Sequence, residues 1–231
     1  MSIQVRPRAI SLALWLNAWR VGYLTLSDTV NACETISDST EVHKDGRRIS
    51  WQTLIETSGV GGEPFTVALP QSGDPQGLPS DLLKIMQQPT GAVALSRSEL
   101  IVCRHNGDWE LVSATHSVPH IGITHARLAF TTHITEASQF LSTAELAGER
   151  NQIDAVLEDH IPAHVPPQLP AKLSQALSNA ERVRLVAHLA REQAIAFGSP
   201  SVDLKKQSVL RELDSTARDL MIAVAGHSFT M

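Results

Sequence analysis

Apolar side chains recur at spacings of three and four over residues 9–23, AISLALWLNAWRVGY, and Leu12, Trp15, Leu16, Trp19 and Tyr23 predict one buried face of a core helix. A shorter helix follows at DTVNACETI, with Ser27 placed to cap its first turn and Val30, Cys33 and Ile36 turned inward. The pattern then shifts to short extended runs. In TEVHKDGRRISW, Asp45-Gly46 predicts a two-residue hairpin, because both central positions of that turn need positive φ, and Ser50 caps a short helix WQTLIET.

Between Ser58 and Ser80 glycine and proline turns enclose one strand at 65–69, which makes the segment a surface loop. A short helical stretch at 81–86 precedes GAVALSR, ELIVCRH and DWELVSA, which read as a three-strand meander. A fourth strand is expected at 126–132, ARLAFTT. From 135 the chain becomes helical and acidic, with Glu136, Glu145, Glu149, Asp154, Glu158 and Asp159. The prolines of HIPAHVPPQLP at 160–170 then bar a helix. Two helices follow at about 171–197 and 201–226, with Gly198 and Ser199-Pro200 suited to the turn between them. In the second, Leu210, Leu213, Ala217, Leu220 and Val224 form an a/d seam that must meet something apolar.

These elements give an α+β fold: an antiparallel, meander-containing sheet with packed helices, followed by a C-terminal helical hairpin. The parts are an α/β portion at 1–134, an acidic helix at 135–159, a proline-rich linker at 160–170 and the hairpin at 171–231, joined as separate pieces or as one integrated domain. No repeat is seen at a period of 20–50 residues.

Composition narrows the function classes. With 42% hydrophobic and 19% charged residues among 231, the chain has enough apolar material for a core. Its 19 Lys plus Arg against 24 Asp plus Glu give a net charge of −5, which offers no general attraction to nucleic acid. On the C-terminal hairpin, Lys205, Lys206, Arg211, Arg182, Arg184 and Arg191 are interleaved with Glu181, Glu192, Asp203, Glu212, Asp214 and Asp219, which reads as a mixed-charge surface. Cys33 and Cys103 are expected as free thiols in a reducing cytosol. Arg20 and Asp28 separate the first apolar stretch from Cys33, so neither an exported leader nor a spanning helix is expected, and the expected location is cytoplasmic.

Candidate chemistry is sparse. A two-residue turn at Asn106-Gly107 would set Cys103 opposite Glu110 and His105 opposite Asp108. Cys103, His105, Asp108 and Glu110 would then share a face as zinc ligands or as a thiol–imidazole pair, against the simpler reading of a solvated hairpin tip. His116, His120, His125 and His133 form a second candidate zinc set, although their spacing matches no metal motif and Pro119 interrupts any helix between the first two. His160 and His164 beside Glu158 and Asp159 fit a helix C-terminus, where the macrodipole favours histidine. Gly59, Gly61 and Gly62 lack phosphate-loop spacing, and no nucleophile elbow occurs. The tryptophans at 15, 19, 51 and 109 fall on apolar periodicities suited to packing.

The stretch LWLNAWRVGY, the Asp45-Gly46 turn with Trp51, and VALPQSGDPQGLP at 67–79 resemble an uncharacterised actinobacterial protein family over the first half of the chain. The resemblance implies a bacterial cytoplasmic origin and brings no catalytic or binding residue. The leading expectation is a non-enzymatic protein-binding or scaffold protein, associating with itself or another protein through the C-terminal seam, without nucleic acid or membrane. The alternatives are a zinc-type enzyme on either histidine-containing set and a small-ligand-binding protein with the 58–80 loop as a lid.

Overall fold

Pro7 opens helix α1 (Arg8–Arg20), and every side of the helix meets protein: Ile10, Leu12, Leu14, Leu16 and Asn17 are all buried. The expected single face is therefore too narrow. Leu12 and Leu16 are interior, Trp15 and Trp19 are half-buried, and Tyr23 is 45% exposed beyond the helix end. The computed structural model describes residues 6–58, 64–71, 73–86, 91–143, 165–192 and 200–227.

Helix α2 (Leu26–Ser37) starts two residues earlier than expected, because Thr25, not Ser27, accepts the Asp28 amide at 3.1 Å. Cys33 does point inward. Strands β1 (Glu41–Lys44) and β2 (Arg47–Ser50) form the expected tight hairpin, with Asp45 and Gly46 both at positive φ. The Ser50 hydroxyl caps α3 (Trp51–Ser58) by accepting the Thr53 amide at 3.1 Å.

Next come β3 (Thr66–Ala68), α4 (Ser80–Ile85) and the meander β4 (Ala92–Ala94), β5 (Glu99–Cys103) and β6 (Trp109–Ser113). The sheet order is β2-β1-β6-β5-β4-β3. It is mixed, not purely antiparallel, because β1 lies parallel to β6 with His43 beside Glu110. One face, carrying Val93, Ile101, Cys103, Trp109 and Leu111, joins the main core around α1. The other, carrying Ala92, Ala94, Leu100 and Val102, packs on Leu78, Leu82 and Met86 around α4. Trp51 and Trp109 meet edge to face at 6.3 Å in the main core, and their indole N–H groups bond Ser37 and Ser39.

Residues 126–132 form no strand. They lie in helix α5 (Ile123–Thr143), whose Ala126, Phe130 and Ala137 recur at four and seven and are buried on one side. The short apolar stretch there fits either period, and the helical spacing meets the C-terminal helix at residues 200–227. The expected boundary at 134/135 thus falls inside a helix. Of the acidic residues expected after it, only Glu136 lies among the described residues.

Helices α6 (Ala171–Glu192) and α7 (Pro200–His227) pack against each other as expected, and the expected turn residues Gly198 and Ser199 lie outside the described residues. The a/d seam of α7 finds its apolar partners inside the chain, as Leu210, Leu213, Ala217, Leu220 and Val224 are all buried. Leu210 and Leu213 pack with Ala137 of α5 and Ala187 of α6 in a small satellite cluster. Ala217, Leu220 and Val224 enter the main core beside α1. This is a correction to the seam as an exposed partner surface, and its cause is that α1, α5 and α6 already cover it.

Candidate functional site

Two of the three sequence stretches that carried the family resemblance converge on α7. In LWLNAWRVGY the one polar residue inside the apolar run is Asn17. Its Nδ2 donates to the carbonyls of Phe65 and Ala225, each at 2.9 Å, and its Oδ1 accepts the Phe65 amide at 2.9 Å. Ala225 lies near the described end of α7, so Asn17 ties the entry of β3 to that end of the helix. The Arg20 guanidinium stacks over Phe65 at 5.1 Å.

The second stretch forms a folded loop clasped by Arg218. Gln71 and Asp74 exchange both backbone hydrogen bonds, Gln76 Oε1 accepts the Leu69 amide at 2.7 Å, and Gly77 turns at φ +75. A Cβ at Gly77 would lie 2.1 Å from the Ser117 carbonyl oxygen, so no other residue fits there without moving backbone. Arg218, with a side chain only 3% exposed, donates to Leu69 O at 3.2 Å and to Asp74 Oδ2 at 2.6 Å, and its Nε lies 3.7 Å from Asp219. One turn earlier on α7, Asp214 accepts from Gln71 at 2.9 Å and from Arg184 of α6 at 3.0 Å. Burial pushes the Asp219 carboxyl up from its ordinary value, and Asp74 adds to the shift while Arg218 opposes it. Arg6 and Glu181 make a further buried ion pair between the chain start and α6. These charged groups face each other, and their evident chemistry is to hold loop and helices together.

The hairpin and histidine sets do not assemble. Cys103 stands opposite Trp109 and Val102 opposite Glu110, one residue out of the expected register. The cause is the turn: Arg104 N–H reaches Asp108 O at 2.8 Å, and Gly107 at φ +90 completes a three-residue loop instead of a two-residue one. A one-residue slip changes the face of every side chain. Cys103 is therefore in the core, while Glu110 on the opposite face pairs with Arg104. His105 Nε2 donates to Lys84 O at 3.0 Å, and Asp108 accepts from Asn106 and lies 3.9 Å from His43. Cys33 and Cys103 are both buried free thiols, and burial raises the Cys33 thiol far above its ordinary value.

His116 Nε2 donates to Ser96 O at 2.8 Å and His133 Nδ1 to Ala129 O at 2.9 Å, while His120 and His125 are exposed. Among the described residues no group of three or more His, Cys, Asp or Glu is placed to hold a metal ion. Gly59, Gly61, Gly62, His160 and His164 lie outside the described residues.

What the charge pairing leaves open lies along the first half of α7. Toward α5, a groove of about 400 Å³ has Ala137 and Val209 between His133, Glu136, Lys205 and Glu212. His133 Nδ1 donates to Ala129 O, and two carboxylates, Glu136 and Glu212, outnumber the one ammonium, Lys205, so this side is net acidic. Toward α6, a second groove of about 370 Å³ is lined by His188, Arg191, Gln207 and Arg211. In the sequence, Lys205, Glu212, Arg191 and Arg211 read as a mixed-charge surface, His133 as a zinc candidate and Glu136 as part of an acidic helix. Their sorting by sign needs the relative rotation of three helices, which no local pattern carries.

Residues 9–139 match the Rv1486c-like protein, N-terminal domain, and residues 124–221 match the Rv1486c-like protein, C-terminal domain. The chain belongs to the Rv1486c-like family. The actinobacterial resemblance in the first half thus extends through the C-terminal helices, and neither domain description states an activity. The two matches overlap at 124–139, within α5, the helix whose Phe130 joins the main core and whose Ala137 joins the satellite cluster. No curated protein and no solved structure gives a significant match to the chain. No helix among the described residues is long and apolar enough to cross a membrane.

Proposed function

We propose that this Rv1486c-like protein is a non-enzymatic binding protein of the bacterial cytoplasm, whose α5–α7 groove receives a basic segment of another protein. The observation that carries this reading is the groove's lining. Ala137 and Val209 offer a small apolar floor, and Glu136 and Glu212 offer carboxylates around it against the single ammonium of Lys205. A lysine or arginine of a partner helix can lay its methylene stem on that floor and reach a carboxylate with its head. The acceptors sit on helices pinned by buried anchors, which lowers the ordering cost of binding.

The test is a photo-crosslinking residue at Gln139, on the groove, compared with one at the exposed Lys172 at the start of α6. The expected result is one dominant adduct peptide at Gln139 that contains Lys or Arg, comes from another protein, and disappears in the charge-reversed variant Glu136→Lys/Glu212→Lys. Equal adducts at both positions, adducts that survive charge reversal, or adducts only to a second copy of this chain would overturn the reading.

A further inference from the structure

The acids interleaved with the basic residues of α6 and α7 are not evenly available. Glu181 is taken by Arg6, Asp214 by Arg184 and Gln71, and Asp219 lies against Arg218. These pairs fall on the sides of the helices that meet the loop and the core. Among the described residues, the side facing the 370 Å³ groove presents Arg191 and Arg211. Among the described residues Arg211 has one hydrogen bond, a 3.4 Å contact from Nη2 to Gln207 Oε1, and Arg191 has no ion pair or hydrogen bond. No carboxylate is among the described residues that line this groove.

From this we infer that the α6–α7 groove is a binding site for a small phosphate-bearing molecule, held by Arg191 and Arg211 from the two helices. A guanidinium presents a planar fork of donors that matches phosphate oxygens in pairs, and two forks from different helices can grip one phosphate or two linked phosphates. Because Gln207 Oε1 already accepts from Arg211, its amide nitrogen is left as a third donor. The volume is within the range of small-molecule sites, about 300–1,000 Å³, and so has room for more than a bare phosphate. The site lies across α7 from the net acidic groove and stands independently of the protein partner proposed there.

Calorimetric titration of the full chain with pyrophosphate tests the inference. Binding is expected, weakening as sodium chloride rises because the contacts are charged. The Arg191→Ala and Arg211→Ala variants should each bind at least about tenfold more weakly, given the strength of hydrogen bonds to charged groups. Arg182→Ala, which removes an exposed arginine of α6 outside the groove, should bind as the parent does. The groove arginines are exposed, so all three variants should keep the parent's unfolding midpoint. No binding by the parent chain, or equal weakening by Arg182→Ala, would overturn the site, as would undiminished binding by the Arg191→Ala/Arg211→Ala double variant.

Discussion

Arg218→Ala lowers the stability of the chain by roughly 2–3 kcal/mol, because it removes a buried guanidinium that hydrogen-bonds a carbonyl and a carboxylate, while Asp74, itself 47% exposed, stays in contact with water. The guanidinium satisfies Leu69 O and Asp74 together and is nearly inaccessible to water. Its loss leaves a cavity beside a carboxylate and a carbonyl that the rest of the loop is folded around. For a chain of this size the change corresponds to an unfolding midpoint lower by on the order of 10 °C.

The deficit should depend on pH in a definite direction. Asp219 binds its proton more tightly in the folded state than in the unfolded one, so its favourable contribution is present at low pH and is lost as pH rises through its folded value. Removing Arg218 takes away the one influence that lowers that value. Urea unfolding at pH 4 and pH 7 should therefore show the larger deficit at pH 7. A deficit that shrinks as pH rises, or one no greater than that of Arg182→Ala, would show that the clasp is not anchoring the loop.

Asn17→Leu is expected to be as damaging for a different reason. Leucine fills a similar volume but leaves the Phe65 amide and the Phe65 carbonyl without the Asn17 amide, and removes one bond to the Ala225 carbonyl. A buried backbone group left unsatisfied costs about 1–3 kcal/mol, so the Phe65 amide and carbonyl predict a loss of roughly 2–6 kcal/mol. Chemical denaturation measures it directly. A loss below about 1 kcal/mol would mean that water or a shifted backbone takes over all three bonds.

The sequence was most informative where one local device decides the geometry. Asp45-Gly46 sets the first hairpin, Ser50 caps α3, and the apolar runs of β4, β5 and β6 pair as a meander. It misled where two local solutions compete. Asn106-Gly107 fits a two-residue turn and a three-residue turn equally, and the choice moved Cys103 from a candidate site into the core. Nothing local announces the parallel pairing of β1 with β6, which joins strands far apart in the chain. The a/d seam of α7 was legible, but its partners were not, because they come from α1, α5 and α6. Asn17 did leave a signal, a lone polar residue amid LALWL and AW, and its meaning needed the two carbonyls that it meets.

The claim on which the rest depends is that α7 completes the core built by the first half of the chain, so that its flanking grooves sit on a fixed frame. All four tryptophans, at 15, 19, 51 and 109, lie in the first half, whereas α5, α6 and α7 supply most of the helix. Urea unfolding of the full chain followed by tryptophan fluorescence and by far-ultraviolet circular dichroism therefore watches the two parts separately. The account predicts one transition with coincident midpoints. A helical transition at lower urea, with the tryptophan signal still native, would contradict it.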